Sequence, residues 1–225
     1  YYHIAIEGNW EGKNILHAEQ SPQDFCATNG IDLSEFEAAR TGILNILQEA
    51  RSKRVSPKKK KKCQLSWNAL FHLAIFEVYI SASDEAYLQL AVEHMQQMLA
   101  VFKTNEGWKH VDYDRPFITA NADDWSYLIR ALLRLASISL EVRWLHQAKD
   151  ILEWGMEKYF DIQNEMFLFS ARDKDIPIRK LEVLDNILPS VNAVMSENLR
   201  ILGMIGNNHE WITLSDKINH KIYIF

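Results

Sequence analysis

Three segments of the chain superimpose without a gap when aligned on Tyr87, Trp144 and Trp211. A recurring unit of this kind restricts the fold more tightly than composition does. The segments begin at Ser66-Trp67-Asn68, Asp123-Asp124-Trp125 and Ser190-Val191-Asn192. Each continues as an apolar stripe: Phe71, Ile75 and Val78, then Leu128, Leu132 and Leu135, then Met195, Leu199 and Leu202. That spacing traces one face of a helix. A polar turn follows at Ser83-Asp84-Glu85, Leu140-Glu141-Val142 and Asn207-Asn208-His209, and the aromatic anchor then opens a second helix. Four residues beyond each anchor stands Ala91, Ala148 or Ser215, small enough for two helices to approach closely. The pattern predicts an all-α chain of αα-hairpins.

Between hairpins, residues 104–118 and 161–179 mix β-prone and turn residues, and Met166-Phe167-Leu168-Phe169-Ser170 reads as a short β-hairpin or extended loop. Long connections on a rigid helical frame are where sites are usually built. Upstream, Leu33-Ser34-Glu35 starts a helix running to about Arg54, with Phe36, Ile43, Leu44 and Leu47 apolar, as the second helix of an earlier hairpin. The run Lys58–Lys62 after Pro57 predicts a mobile, solvated loop over 56–63.

Composition narrows the function. Apolar residues make up 48% of the 225 residues, enough for a substantial core in one domain spanning 1–225. A net charge of −5 without a broad basic face argues against nucleic acid as a partner. With no apolar run near the length of a bilayer span, no membrane partner is expected. Cys26 and Cys63 are too few for a disulfide framework or a closed zinc site, which fits a reducing, cytoplasmic setting. The chain starts at Tyr1 and stops within recognisable pattern, as an excerpt of a longer protein would.

The helix starts carry the candidate chemistry. If the hairpins form a ring, their first helices line the inside and their N-termini converge on one mouth, where free N–H groups suit anions and hydroxyl ligands. Trp67, Asn68, Asp123, Asp124, Trp125, Ser190 and Asn192 would meet there. Ser66, Asp123 and Ser190 also have the side chains of ordinary N-caps. Asp123 and Asp124 lead the acid–base candidates, followed by Glu182 and Asp185; glycoside chemistry requires such a carboxyl pair. Among the eight His, none forms a tight metal-ligand spacing, so no metal or cofactor is expected. His17 and His110 lie in connecting segments and are the better proton-transfer candidates, whereas His72 falls within a helix and should be packed.

Four motifs then resemble one family. Glu7-Gly8-Asn9-Trp10-Glu11-Gly12-Lys13-Asn14-Ile15-Leu16-His17 resembles the EGNFEGKNILH signature of the YyaL-like, spermatogenesis-associated thioredoxin-domain proteins. Gln64-Leu65-Ser66-Trp67-Asn68-Ala69-Leu70 is similar to its segment ending in WNAL or WNGL, and Asp123-Asp124-Trp125-Ser126-Tyr127-Leu128 to its DDYAYL element. Lys180-Leu181-Glu182-Val183-Leu184-Asp185 with Pro189-Ser190-Val191-Asn192 is similar to its KxExxDxxxPSxN block.

The resemblance implies an incomplete (α/α)6 toroid like those of N-acylglucosamine 2-epimerases and six-hairpin glycosidases, in a larger protein with a thioredoxin-like domain outside this chain. By that analogy Tyr127, Lys180 and His17 join the substrate-binding candidates. Trp67 and Trp125 would stack on a sugar ring, and Asn68 and Asn192 would bind hydroxyls. The chain departs from the family where Lys58–Lys62 and Cys63 replace Gly-Leu-Asp-Asp-Lys, and where Asn186-Ile187-Leu188 replaces Gly-Ala-Thr. The expected function is a carbohydrate-active or sugar-binding domain, with a non-catalytic scaffold or interaction domain as the alternative. An incomplete ring would leave apolar helix faces exposed, which predicts self-association.

Overall fold

The computed structural model describes residues 1–59, 61–113, 117–172 and 176–224. The chain divides into two compact units, Tyr1–Lys60 and Lys61–Phe225, and the division falls inside the lysine-rich run. Lys60 itself lies outside the described residues, as do parts of the predicted 104–118 and 161–179 connections.

In the first unit, α1 (Pro22–Asn29) precedes α2 (Leu33–Ser52). The sequence indicates α2 but not α1, which is short and weakly patterned. Asp32 caps α2, its carboxylate accepting from the Ser34 and Glu35 backbones. Tyr1, Phe25 and Phe36 pack ring against ring, and Arg40 donates to the Tyr2 hydroxyl at 2.9 Å.

The second unit holds the three hairpins, α3 (Leu65–Ala82) with α4 (Glu85–Phe102), α5 (Ala122–Ser139) with α6 (Val142–Tyr159), and α7 (Val191–Ile205) with α8 (His209–Ile224). The first helices pack side by side in the order α3, α5, α7, and each second helix packs on its own partner. Small residues sit where the helices touch, with Ala91, Ala148 and Ser215 all fully buried. Ser215 goes further: its hydroxyl donates to the Ser196 carbonyl at 2.8 Å, tying α8 to α7. A second close approach depends on Gly155, where an added Cβ would stand 2.6 Å from the Trp125 ring.

Short antiparallel pairs join the hairpins. β1 (Cys63–Gln64) pairs with β4 (Val111–Asp112), β2 (Lys103–Thr104) with β3 (Gly107–Trp108), and β5 (Phe160–Asp161) with β6 (Met166–Phe167). β6 is the strand that the Met166–Ser170 pattern indicates.

The apolar stripes of α5 and α7 are buried throughout: Leu128, Leu132 and Leu135, and Met195, Leu199 and Leu202. Each such side chain contributes roughly 1.5–3 kcal/mol. The equivalent stripe of α3 differs. Ile75 is buried, but Phe71 and Val78 are exposed, because α3 stands at the end of the row of first helices. α3 is also long and apolar enough to cross a membrane by length and composition, the one such helix among the described residues. A third of that helix, including Leu65, Ala69, Ile75 and Phe76, is buried in the protein. His72 is packed, as its helical position predicts. Its Nδ1 lies 3.4 Å from that of His94, and burial pushes its pKa down to about 4.

Each of the first two hairpins turns on a left-handed residue, Ser83 at φ 52° and Leu140 at φ 56°. Leu140 is a poor choice, since a left-handed backbone crowds its Cβ by roughly 1–2 kcal/mol. Its side chain is 84% exposed and returns little burial. Leu140→Gly is expected to raise stability by about 1 kcal/mol in chemical denaturation, after the added flexibility of the unfolded chain is subtracted. A loss of stability in that variant would mean that the Leu140 side chain makes a contact that outweighs the backbone strain.

Candidate functional site

The starts of α3 and α5 are joined by one carboxylate. Asp124 is fully buried. Its Oδ1 accepts from the Ser66 backbone N–H at 2.9 Å. Its Oδ2 accepts from the Asn121 N–H at 2.7 Å and lies 2.7 Å from His110 Nδ1. His110 presents its other ring nitrogen to the Gln64 amide at 3.2 Å. An Asp–His–Gln chain therefore runs from the helix start to β1, fixing the ring as a proton-bearing Nδ1 and an acceptor Nε2. The carboxylate closes a capping box with Asn121, which is the N-cap of α5.

This corrects the expected caps. α5 begins after Asn121 and α3 after Gln64, so Asp123 and Ser66 lie inside the first turns of their helices. The third cap is as expected, with Ser190 Oγ accepting from the Ala193 N–H at 3.2 Å. The Asn-x-x-Asp spacing at 121–124 carries the capping-box signal that was available in the sequence.

Moving the cap to Asn121 places Asp123 at the edge of a cleft. A cavity of about 730 Å³ is lined by Asp123, Tyr127, Lys180, Glu182, Asp185 and Ser190, with Phe169 and the 183–189 loop. Asp123 Oδ1 is buried without a hydrogen-bond partner among the described residues. Burial and the neighbouring Asp124 charge push the Asp123 carboxyl up to about 6, with a hydrogen bond from Ser66 opposing them. Two adjacent carboxyls in a dry site do not ionise independently. The result is a protonatable carboxyl beside a second one held by three hydrogen-bond partners.

The remaining lining groups are braced. Tyr127 donates its hydroxyl to the Pro189 carbonyl at 2.6 Å, and burial with nearby carboxylates raises its pKa to about 12. Asp185 accepts from the Ser190 N–H at 2.8 Å, and Lys180 Nζ contacts Glu182 at 2.7 Å. Lys180 Nζ also sits 5.9 Å above the Phe169 ring.

Other sequence candidates lie elsewhere. Trp125 is fully buried, packed against Tyr159 and Phe167, so it has no face to offer a sugar. Asn192 is buried too. Its Oδ1 accepts from Phe167 N at 2.8 Å, and its Nδ2 donates to the Phe167 and Glu182 carbonyls. It holds β6 and the Glu182 backbone against α7 rather than presenting its amide to a hydroxyl. Asn68 donates to the Gln64 carbonyl within its own helix, and Trp67 is exposed but outside the cleft lining. His17 belongs to the first unit, near His3 and Glu19. The sequence reading missed Phe169, Gln64 and the role of the 183–189 loop, which only the folded chain brings to this place.

Known proteins are similar to this chain in sequence and in fold. Spermatogenesis-associated protein 20 of Homo sapiens is 23% identical over 92% of this chain, and an uncharacterized protein of Caenorhabditis elegans is 26% identical over 85%. The chain is similar to spermatogenesis-associated protein 20 over most of its own length. It spans 28% of the length of the human protein and 27% of that of the Caenorhabditis elegans one. No described family profile matches it.

Among solved structures, the GH76 alpha-mannanase of Bacteroides thetaiotaomicron superimposes with a TM-score of 0.57 at 11% identity, covering 73% of this chain and 45% of that one. A D-mannose isomerase gives 0.56 at 12%, covering 72% and 42%. The cellobiose 2-epimerase of Spirochaeta thermophila gives 0.55 at 12%, covering 72% and 43%. The fold is that of the α/α toroids, as the motif resemblance implied.

The raised Asp123 pKa has a consequence for stability. The folded protein holds that proton more tightly than the unfolded chain, so the group's contribution is present below about pH 4 and lost by about pH 6. Asp123→Asn is expected to stabilise the chain at pH 7.5 by on the order of 1–3 kcal/mol, an advantage that vanishes near pH 4. Urea denaturation at the two pH values checks this, and equal stability of variant and parent at pH 7.5 would contradict the strained carboxyl.

Proposed function

We propose that the cleft between the starts of α5 and α7 binds a sugar and that Asp123 moves a proton on it. The observation that carries this reading is the unpartnered, buried Asp123 oxygen at the cleft edge, on a carboxyl poised near pH 6. A titratable group held between its two states near working pH suits general acid–base chemistry. Glu182 and Asp185 line the same cleft and supply the second carboxylate that glycoside or epimerisation chemistry requires. The Tyr127 hydroxyl, the Lys180 ammonium and the Ser190 hydroxyl are the groups for sugar hydroxyls, and the Phe169 ring offers an apolar face. Asp124 does no chemistry in this account: it holds the charge that raises Asp123 and orients His110.

The mannanase, isomerase and epimerase folds support a carbohydrate as the ligand class. One observation favours a non-catalytic scaffold instead, since Tyr127, Lys180 and Asp185 already bond within the protein. The exposed Trp67, Phe71 and Val78 on α3 support self-association in either case.

Calorimetric titration with mannose, glucose, mannobiose and cellobiose, together with product analysis, separates the two. The expected outcome is binding of at least one of these sugars by the parent. Asp123→Asn is then expected to keep that binding within about threefold while losing turnover by ~100-fold or more. No binding to any of the sugars, or unchanged turnover in the variant, would overturn the proposal in favour of the scaffold.

A further inference from the structure

The first unit carries a cluster that the cleft does not use. His3, His17 and Glu19 bring two imidazole nitrogens and a carboxylate within 4.8 Å of one another. His3 Nε2 and His17 Nε2 each lie 3.8 Å from a different oxygen of Glu19. The two rings stack at 5.0 Å between centroids, 20° from parallel. From these contacts we infer that His3, His17 and Glu19 form a binding site for a divalent first-row transition metal such as Zn²⁺.

The backbone is built to hold the two rings together. Residues 3 and 17 are far apart in sequence, and the loop between them is folded back by two asparagines. Asn9 Nδ2 donates to the His3 and Ile15 carbonyls, both at 2.9 Å, while its Oδ1 accepts from Ile15 N at 2.8 Å. Asn14 bonds the Ala5 N–H and carbonyl in the same two-way manner. At the tip, Trp10 and Lys13 exchange backbone bonds of 2.9 Å. Gly8 has φ 84°, and a Cβ there would fall 2.5 Å from the Lys13 nitrogen. The tight loop therefore depends on a glycine. His3 and His17 emerge beside one another as a result.

His17 Nδ1 lies 3.4 Å from the Ile15 carbonyl, the contact expected when Nδ1 bears the proton and Nε2 is left free to bind a metal. Metal-binding histidines are oriented by such a contact on the far nitrogen. Tetrahedral zinc with ligand bonds of about 2.0–2.1 Å brings its donors to ~3.3 Å apart, so donors now within 4.8 Å of one another must draw together by up to about 1.5 Å. All three side chains are at least half-exposed or nearly so and can make that move freely. Two imidazoles and a carboxylate suit zinc, cobalt or iron rather than calcium or magnesium, which prefer oxygen alone.

Three protein ligands leave a fourth position for water or another donor. A cleft of about 240 Å³ lined by His3, Glu19, Gln20 and Thr28 adjoins the cluster and gives that position room. The HExxH type of spacing, sought along a single helix, could not reveal this site, because the loop rather than a helical turn brings the ligands together.

The test is titration of the full chain with Co²⁺, read by visible absorption, followed by displacement with Zn²⁺. The expected result is one equivalent of Co²⁺ with ligand-field bands of a four- or five-coordinate ion, bleached by Zn²⁺. His3→Ala, His17→Ala and Glu19→Gln should each weaken binding by ~10-fold or more, the range over which metal sites respond even to loss of a supporting group. Cys63→Ser and His220→Ala, outside the cluster, should leave it unchanged. No bound equivalent, or binding that survives both His3→Ala and His17→Ala, would overturn the site. Circular dichroism of each variant confirms that the fold is kept.

Discussion

The buried carboxylate of Asp124 holds the second unit's functional end together. It ties the backbone at the start of α3, the cap of α5 and the His110 ring to a single charge. Removing such an acceptor would leave three donors stranded away from water, each a loss of about 1–3 kcal/mol. The toroid fold needs the starts of its first helices to meet at one face, and here a side chain rather than a packed apolar contact makes that join. The partner join between α5 and α7 uses the Tyr127 hydroxyl on Pro189 and the Asn198 amide on the Ser126 carbonyl.

That arrangement has an electrostatic by-product. The carboxylate at 124 leaves its neighbour at 123 with burial and repulsion against ionisation, and Ser66 and His110 in its favour among side chains. A protein selected for stability alone would place an amide or an apolar residue at such a position. In the proposed reading, a carboxyl there, with one oxygen unpartnered at the edge of a cleft, trades stability for reactivity.

Much of the frame was legible in the sequence. The three-fold register located all six hairpin helices, since the small residues Ala91, Ala148 and Ser215 are buried alike at the same place in each second helix. Asp123, Tyr127, Lys180, Glu182, Asp185 and Ser190, all legible as candidates, line one cleft. Trp125 and Asn192 misled because aromatic and amide side chains at a helix start serve a core or a loop clamp as readily as a ligand. Their neighbours Asp123 and Ser190 each differ from them by two positions, which along a helix is a turn of about 200°. Repeat alignment fixes position along the axis more firmly than direction around it. The caps show the same limit, because the register alone put Asp123 where Asn121 stands. Phe71 and Val78 carry the helical stripe, yet they end exposed on the terminal helix of the row. His17 was legible as a candidate, but its grouping with His3 and Glu19 was not, because a loop closed by Asn9 and Asn14 joins them and such closure leaves no periodic trace.

The poised carboxyl at 123 is the claim on which the functional reading turns. Carbon-13 NMR titration of the aspartate carboxyl groups, with Asp123 assigned by its loss in Asp123→Asn, measures it without any assumption about substrate. The account predicts that this resonance titrates with a midpoint near pH 6. A midpoint close to 3.8, the value of an ordinary aspartate, would contradict it.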